Sequence, residues 1–441
     1  MDYKKLGRFF YSEKVLLIAI CVAALIVRLG FMFYHDFPLF ADELEYDRLA
    51  VSLLDGNGYV SKAGNATAGR PPGYPLLVST VYLVFGHETA VVKLLQAAID
   101  SLTCLLIYFL GRSIFSKKVG LLSAIISILH VSFIAQSSKL LTEGVSTFLL
   151  LCAVLLFRKA SLSRKALLYC LSGFFLGITC MVRSNFLILS AIFLLFMLYE
   201  FSRFPFLRDK LIKGMGCYTI AFLFVIFPWS IRNFKQFHAF VPISTFQGYA
   251  LYASYKPVDG KMYGFVPYDN VMKEANSIAS ETQQSKFLSK KAFLLLKADP
   301  LLFFRLIPLK ICYFFSPLDW ELVYSKVIYN YSYVFYFPFF LTGLFTFRHR
   351  LLELNALYLP VIGVLMFTIV LFGIPRFRIP IEPYMIILSA ASIIHVYDTT
   401  IRKRKMLLCL CAYFTANYVL FINSEATKIA LRFLSRKAGL W

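Results

Sequence analysis

Long apolar runs, separated by short polar segments, recur along the whole chain. Apolar residues in these runs are continuous rather than alternating, which is typical of transmembrane helices and not of a membrane β-barrel. Helices are predicted at 15–34, 89–111, 119–136, 142–157, 166–182, 186–199, 214–230, 329–347, 353–372, 384–399 and 406–422. The pattern therefore predicts an all-α polytopic membrane protein with about 11 transmembrane helices.

Polar segments divide this helical chain into regions. They are an amino-terminal transmembrane region at 1–230 that contains a first outer loop at 35–88, a second outer loop with interfacial helices at 231–328, and a carboxy-terminal transmembrane region at 329–441. The apolar run at 301–315 is predicted to lie flat at the interface or to be re-entrant, because a crossing there would place Arg348 and Arg350 outside. The first apolar run lacks a small-residue cleavage site, so it is predicted to be a retained helix rather than a signal peptide.

Composition and charge support a membrane location. Of the 441 residues, 59% are hydrophobic and 16% are charged, and the net charge is +22. The basic residues cluster between apolar runs, as they do around Arg112 and Arg158, and so mark cytoplasmic loops by the positive-inside rule. This places the amino terminus in the cytoplasm and both outer loops on the opposite face, although the basic tail from Glu425 disagrees with the rule. The lipid bilayer, rather than nucleic acid, is the predicted partner of this charge.

Cysteine and histidine give no sign of a disulfide framework or a zinc site. The nine cysteines lie in or at the ends of apolar runs, and the polar segment 232–297 contains none. Cys409 and Cys411 are too close together for the usual zinc spacing, and the six histidines are scattered singly. The sequence requires no cofactor, although paired carboxylates could hold a divalent cation.

A quarter of the acidic residues fall in the first outer loop. Of 24 in the chain, these are Asp36, Asp42, Glu43, Glu45, Asp47 and Asp55. The string ADELEYDRLAVSLLDG predicts a helix on the membrane surface, with Tyr46 and Leu49 on its apolar face and Glu43 on another. Asp42 and Glu45 have the spacing of a capping box, which is a structural alternative to a role in chemistry.

Several short motifs occur in an order that resembles a known superfamily. They are DELEYDRLA at 42–50, RPPGYPLL at 70–77, KLLTE at 139–143 and PRFRIPIEP at 375–383. Together they resemble the GT-C glycosyltransferases, and within them the branch of the protein O-mannosyltransferases and the lipid A aminoarabinose transferases. The similarity covers roughly the first two hundred residues and the PRFRIP segment, and it hardly extends to the second outer loop.

The resemblance implies a GT-C-like bundle that transfers a sugar, with inversion, from a polyprenyl-phosphate carrier to a hydroxyl acceptor. The acceptor would be a protein, a lipid or a cell-envelope glycan on the non-cytoplasmic face of a bacterial plasma membrane. Asp42 matches the aspartate that the family uses as base. The chemistry agrees, because a carboxylate can take the proton of the acceptor hydroxyl as the oxocarbenium-like transition state develops. Glu43 would orient the acceptor or Asp42, unless it is only a surface charge.

Other candidate site residues lie beside the outer ends of predicted spans or in the motifs. Glu143 is either a charge that favours a helix amino terminus or, by resemblance, a second acidic group that faces the acceptor. Tyr46 and Tyr74 are predicted to bind substrate. The candidates for binding the donor phosphate, each of which could instead snorkel to the interface, are Arg70, Lys139, Arg183, Arg376 and Arg378.

The two arginines of the PRFRIP segment are the strongest phosphate candidates. Arg376 and Arg378 are bracketed by Pro375 and Pro380, and proline favours an extended backbone in which residues two apart project to the same side. Arginine also offers a planar fork that matches phosphate oxygens. Both guanidinium groups are therefore predicted to converge on one lipid phosphate.

Two alternatives stay open at the level of sequence. A lipid-linked glycan polymerase or ligase of similar architecture is one of them. The other, a transporter or flippase of lipid-linked sugars, is expected to show internal repeats and charged or broken helices at mid-membrane. The sequence shows no clear repeat, and its acidic residues are assigned to helix ends. This distribution favours the enzyme.

Overall fold

The structure, a computed structural model, describes residues 3–35, 38–256, 269–323, 326–371 and 373–398, together with Tyr413 and Asn417. Within these ranges the chain forms seventeen α-helices and one antiparallel pair of strands. The predicted helical membrane fold is confirmed, whereas the strand pair was not predicted. Asp36, the tail from Glu425 and nearly all of the predicted span 406–422 lie outside the described residues.

The helices and strands are numbered in chain order. The helices are α1 Tyr3–Tyr34, α2 Asp42–Leu54, α3 Gly73–Phe85, α4 Thr89–Ile114, α5 Lys117–Ile128, α6 Val131–Ser137, α7 Glu143–Ser163, α8 Ala166–Val182, α9 Leu187–Arg203, α10 Arg208–Phe237, α11 Gln247–Tyr255, α12 Asn270–Ser277, α13 Glu281–Ala298, α14 Leu302–Phe314, α15 Tyr331–Thr346, α16 Asn355–Val370 and α17 Glu382–Asp398. The strands are β1 Leu318–Val323 and β2 Lys326–Tyr329, and short 3-10 segments lie at Ser184–Phe186, Pro205–Leu207, Arg348–Arg350 and Pro375–Ile381.

Six helical segments in the described part of the chain are long and apolar enough to cross a membrane. They are Glu13–Tyr34, Thr89–Ile114, Glu143–Ser163, Ser184–Arg203, Pro205–Phe237 and Pro375–Tyr397. Helices α5 and α6 make a seventh if they are counted as one span, although the chain bends by 55° between them. The other predicted spans within the described ranges correspond to the shorter helices α8, α15 and α16, and the apolar helix α3 was not predicted.

The bend between α5 and α6 has a local cause. Helix α5 ends at Ile128, and His130 has an extended backbone with φ −75° and ψ 116°. The imidazole nitrogens of His130 lie 2.6 Å from Ser332 Oγ of α15 and 2.5 Å from Glu382 Oε2 of α17. Because the ring is held by two other helices, the chain turns at His130 instead of continuing one straight helix.

Glycines allow close helix packing within the bundle. A Cβ atom on Gly173 of α8 would lie 2.2 Å from the carbonyl oxygen of Tyr218 in α10. A Cβ atom on Gly120 of α5 would lie 2.6 Å from the carbonyl oxygen of Tyr108 in α4. Small residues at such crossings are typical of membrane helices, where close backbone approach replaces the hydrophobic effect as the source of attraction.

Both outer loops carry short helices that pack on the bundle. In the first, α2 packs against α3 and buries Tyr46, Leu49 and Ala50, which confirms the predicted helix. Glu43 lies on the same buried face with 3% of its surface exposed, so its predicted position off the apolar face and the surface-charge alternative are both wrong. In the second, α11 packs against α13, and α14 covers most of 301–315. The interfacial or re-entrant placement of α14 stays a prediction.

Candidate active site

Asp42 is the first residue of α2, and its side chain lines a cavity. Ala41, just before it, has φ 48° and ψ −112° and makes no side-chain capping bond. The amino terminus of a helix carries a partial positive charge that favours a carboxylate. The capping-box alternative is nevertheless wrong, because Asp42 and Glu45 both bind Arg70 instead of the helix cap.

Both carboxylate oxygens of Asp42 accept hydrogen bonds from arginines. Arg70 Nη2 lies 2.7 Å from Oδ1, and Arg376 Nη1 lies 2.9 Å from Oδ2. Arg70 also donates from Nε to Glu45 Oε2 at 2.8 Å. Arg70 comes from the first outer loop and Arg376 from the 3-10 segment before α17, so Asp42 joins two distant parts of the chain.

Glu143 is the third carboxylate of this network, after Asp42 and Glu45. It is fully buried at the start of α7, and its Oε1 accepts from Arg183 Nη1 and from Arg376 Nε. Arg183 Nη1 also lies 3.2 Å from Thr142 Oγ1. Arg376 therefore bridges Glu143 and Asp42, and Glu143 faces arginines rather than the open cavity.

The arginines set the protonation state of Asp42. Burial alone would raise the pKa of this carboxyl group, but the charges of Arg376 and Arg70 outweigh burial and lower the pKa to about 2. Asp42 is therefore ionised at neutral pH. Its neighbour Glu43 differs, because burial raises the pKa of that carboxyl group above its usual value.

The cavity has a volume of about 520 Å³. Its charged lining consists of Asp42, Arg70, Arg183 and Arg376. Its apolar lining includes Leu187 and Ile188 of α9, Phe367 of α16, and Leu371 and Phe377. Such a combination suits a ligand that carries both an anionic group and apolar atoms.

Part of the cavity wall comes from the second outer loop. Phe246, Gln247 and Tyr249, at the start of α11, line it. The guanidinium carbon of Arg70 lies 5.3 Å from the centroid of the Phe246 ring. The second outer loop thus completes a site whose charged residues come from other regions.

Residues 69–231, somewhat more than a third of the chain, match a family model described as dolichyl-phosphate-mannose-protein mannosyltransferase. No curated protein matches the chain. Among solved structures, the archaeal oligosaccharyltransferase AglB from Archaeoglobus fulgidus, in complex with an inhibitory peptide and a dolichol-phosphate, matches with a TM-score of 0.58 and 17% identity over 96% of this chain. The chain has the GT-C fold. The resemblance that the sequence motifs predicted is therefore confirmed.

Two further solved structures match the chain. The A. fulgidus oligosaccharyltransferase tethered with an acceptor peptide containing the NVT sequon has a TM-score of 0.56 and 16% identity, covering 97% of this chain and 54% of that one. ArnT from Cupriavidus metallidurans bound to undecaprenyl phosphate has a TM-score of 0.41 and 13% identity, covering 87% of this chain and 78% of that one. The chain spans about half the length of AglB, 56% in the peptide and dolichol-phosphate complex. At 16% to 17% identity, the likeness to the oligosaccharyltransferase concerns the fold alone.

Three of the predicted site residues, Glu43, Tyr74 and Lys139, lie behind the cavity rather than in its lining. Tyr46 lines the cavity, whereas the ring of Tyr74 packs behind it at 5.0 Å between centroids and its hydroxyl donates to Gln96 Oε1 at 2.6 Å. Lys139 is 3% exposed, and its carbonyl oxygen accepts from Gln96 Nε2 at 2.5 Å. Glu43 accepts from the backbone nitrogen that follows Lys139, at 3.2 Å. These groups form a buried polar layer that supports the cavity wall.

Arg378 is separated from the cavity, unlike Arg376. Residues Pro375–Ile381 form a 3-10 segment, so the predicted extended backbone is wrong. Positions two apart in a 3-10 helix differ by about 240° around its axis, which makes the two side chains diverge. Arg378 is 1% exposed, with Nε 2.8 Å from Glu382 Oε1 and Nη1 2.6 Å from the carbonyl oxygen of Phe314. The predicted convergence on one phosphate is therefore not present.

Asp100 corrects the expectation that acidic residues lie only at helix ends. It lies near the middle of α4, is 3% exposed, and interacts electrostatically with the fully buried Arg28 of α1. Arg28 also donates to the Ala24 carbonyl oxygen at 3.1 Å and to Cys104 Sγ at 3.4 Å. Asp100 does not line the cavity. The pair links α1 to α4 in the interior of the bundle.

The polar residues that follow Arg183 were not predicted to belong to the site. Ser184 and Asn185 belong to the 3-10 turn before α9, and both line the cavity. The signal was the string RSN between two apolar runs. Gln247 was missed for another reason, since the second outer loop carries no motif of the family.

A divalent cation at this site would have to compete with the arginines. Among the described residues, no group of three or more His, Cys, Asp or Glu side chains is placed to hold a metal ion. In the network, Asp42 and Glu143 each contact two arginines. A cation at Asp42 would therefore have to displace Arg70 or Arg376.

Proposed function

We propose that the protein is an inverting glycosyltransferase that moves one sugar from a polyprenyl-phosphate carrier to a hydroxyl acceptor on the non-cytoplasmic face. The observation that carries the proposal is the meeting of Asp42, Arg70 and Arg376 at one cavity with apolar walls. A base for the acceptor and cations for the leaving phosphate then lie within one network. The family match and the GT-C fold support this reaction class.

The arginines are proposed to bind the donor phosphate. A guanidinium group presents paired donors to phosphate oxygens and stays charged at every physiological pH. Arg376, Arg183 and Arg70 supply three such groups to the cavity, and the apolar lining of Leu187 and Phe367 is suited to the first isoprene units of the carrier. A monophosphate leaving group held this way is neutralised without a metal ion.

Asp42 is proposed to be the general base. The acceptor oxygen forms a bond to the anomeric carbon while the bond from that carbon to the phosphate oxygen breaks, and the electron pair leaves on the phosphate. The acceptor proton passes to Asp42. Attack from the face opposite the leaving group inverts the configuration at the anomeric carbon.

The ion pairs of Asp42 impose an order on these events. A carboxylate whose oxygens both accept from arginines is a weak base. A donor phosphate competes for the guanidinium groups of Arg70 and Arg376, and each contact that it takes over removes a positive partner from Asp42. Binding of the donor thus prepares the base for the acceptor.

Glu143 is proposed to orient the arginines rather than to face the acceptor. It is fully buried and holds Arg183 and Arg376 through one oxygen atom. Glu43 is proposed to anchor α2 from behind, since its carboxylate accepts from the backbone nitrogen of Leu140. Neither carboxylate lines the cavity.

A transfer assay with purified protein in lipid nanodiscs tests the proposal. Incubation with a polyprenyl-phosphate monosaccharide and membrane or cell-envelope extract should release polyprenyl phosphate and form a glycosylated product. A polyprenyl-diphosphate oligosaccharide as the only accepted donor would instead favour a polymerase or ligase. Movement of intact donor across a liposome membrane without cleavage would favour a flippase.

A further inference from the structure

Residues 67–69 directly precede Arg70, and their backbone accepts hydrogen bonds from other parts of the chain. Arg232 Nη1 donates to the Thr67 carbonyl oxygen at 2.7 Å. The backbone nitrogen of Thr245 donates to the Ala68 carbonyl oxygen at 2.9 Å. We call residues 67–69 the strap, because they hold the arginine that pairs with Asp42.

Glu281, the first residue of α13, joins the strap to the second outer loop. Its Oε1 accepts from Thr67 Oγ1, and its Oε2 accepts from the Ala68 backbone nitrogen at 2.9 Å. The same Oε2 accepts from Thr245 Oγ1 at 3.1 Å. One carboxylate therefore binds the strap on one side and, on the other, the residue two positions before α11.

The approach of α13 to this point is close. A Cβ atom on Gly248 of α11 would lie 2.0 Å from the carbonyl oxygen of Ser285 in α13, and the Gly248 nitrogen donates to Ser285 Oγ at 3.1 Å. Only a residue without a side chain fits there. The contact brings the start of α13 to the strap, where Glu281 can reach it.

We propose that Glu281 is a positioning residue for the transfer reaction. It docks the second outer loop on the strap and thereby fixes Arg70 against Asp42 and beside the cavity wall formed by α11. The proposal rests on the proposed function for its kinetic consequence. Glu281 does not line the cavity, so its effect passes through Arg70 rather than through substrate.

If Glu281 is a positioning residue, Glu281→Ala should impair the protein more than Glu281→Gln does. In Glu281→Ala the bonds to the strap are lost, whereas in Glu281→Gln the amide oxygen can still accept from Ala68 and the amide nitrogen can donate to Thr67 Oγ1. We expect the donor KM of Glu281→Ala to rise about tenfold, on the scale of a charged hydrogen bond lost, with a smaller change in kcat. Glu281→Gln should stay within about threefold of the parent protein, since one buried bond is replaced rather than removed.

Hydrogen exchange of the substrate-free protein measures the docking directly. The Ala68 amide should exchange about tenfold faster in Glu281→Ala than in the parent protein, and Glu281→Gln should retain protection. Glu274→Ala is the matched control, because Glu274 lies on α12 of the same loop and pairs only loosely, at 3.9 Å, with Lys291. It should change neither exchange nor kinetics.

Two results would overturn the proposal. If the donor KM rose equally in Glu281→Gln and Glu281→Ala, the role would belong to the negative charge of Glu281, as expected for a base or a metal ligand. Unchanged Ala68 exchange or an unchanged donor KM in Glu281→Ala would mean that Glu281 does not position Arg70. Exchange is measured without donor, so a failure of docking can be told apart from a failure of the proposed transfer reaction.

Discussion

Arg376 Nη1 lies 2.9 Å from Asp42 Oδ2 while its Nε donates to Glu143 Oε1, so one guanidinium group contacts two carboxylates from distant parts of the chain. The two partners Arg376 and Asp42 are 334 positions apart in the chain. The folded bundle therefore delivers the proposed base and the proposed phosphate ligand to the same point. The donor phosphate and Asp42 therefore compete for Arg376, and binding of the donor releases the base.

Replacing Asp42 by asparagine tests its role as base. We expect turnover to fall by roughly two to four orders of magnitude, the usual contribution of general base catalysis. The amide is similar in size to the carboxylate but cannot take the acceptor proton. Turnover and donor binding should be measured on the purified variant, and binding should persist because Arg376 and Arg183 remain.

Glu45→Gln is the matched control for Asp42→Asn. Glu45 also accepts from Arg70, at 2.8 Å, but it does not line the cavity. The control variant should keep most of its turnover. If turnover fell equally in both variants, the effect of Asp42→Asn would be due to the lost ion pair with Arg70 rather than to the loss of a base.

The pH dependence of catalysis should reflect the arginine partners of Asp42. Because the pKa of Asp42 is about 2, kcat/KM should show no acid limb from this group between about pH 5 and 8. Arg376→Gln removes the strongest of the charges that lower this pKa, so an acid limb should move up towards neutral pH. The absence of any acid limb in Arg376→Gln, as in the parent protein, would contradict the assignment of Asp42 as base.

The same ion pairs link stability to pH. The folded pKa of Asp42, about 2, lies below the unfolded value of about 4. The stabilisation is therefore present above the unfolded pKa and is lost as pH falls through the folded value. The unfolding temperatures of the parent protein and of Asp42→Asn should therefore be measured between about pH 2 and 5, and their difference should shrink towards the acidic end.

The two arginines of the PRFRIP segment should respond differently to lysine. Arg376→Lys loses the fork at the cavity and should weaken donor affinity by about 1 to 3 kcal/mol, with little change in thermal stability. Arg378→Lys should lower thermal stability and leave donor affinity of the folded protein nearly unchanged, because Arg378 is buried against Glu382. Donor affinity and unfolding temperature should be measured on both variants. Weaker donor binding in Arg378→Lys, or lower thermal stability in Arg376→Lys alone, would contradict these roles.

The contrast between these arginines shows what sequence could and could not predict. Prolines around RFR indicated a stiff segment but not its 3-10 geometry, which depends on packing against α14 and α17. Asp42 was found because its motif is local. Glu281 could not be found, since its strap partner Thr67 is 214 positions away and no periodic pattern relates them.

The apolar pattern predicted the helices better than it predicted their ends and their buried charges. Nearly every predicted span corresponds to a helix in the described ranges, because hydrophobicity alone specifies burial in lipid. Asp100 and Arg28 were not predicted to interact, as a pairing between α1 and α4 depends on helix rotation. The bend at His130 likewise depends on distant partners, Ser332 and Glu382.

The orientation of the chain in the membrane is also open to test. Single cysteines at Asn57 and Phe377 should be labelled by an impermeant reagent from outside the cell, whereas those at Ser116 and Leu162 should be labelled only after permeabilisation. The expectation follows from the basic loops around Arg112 and Arg158. Outside labelling at Ser116 or Leu162 would reverse the proposed sidedness of the cavity.

The lipid-linked sugars of the cell test the central claim most directly. Mass spectrometry should compare cells that carry the parent protein, cells that lack it, and cells that carry Asp42→Asn. If the protein consumes a polyprenyl-phosphate sugar, one such monosaccharide lipid should accumulate without the protein and with Asp42→Asn, while one envelope glycan, lipid or protein loses that sugar. Identical lipid-linked sugars and acceptors in all three strains would contradict the account.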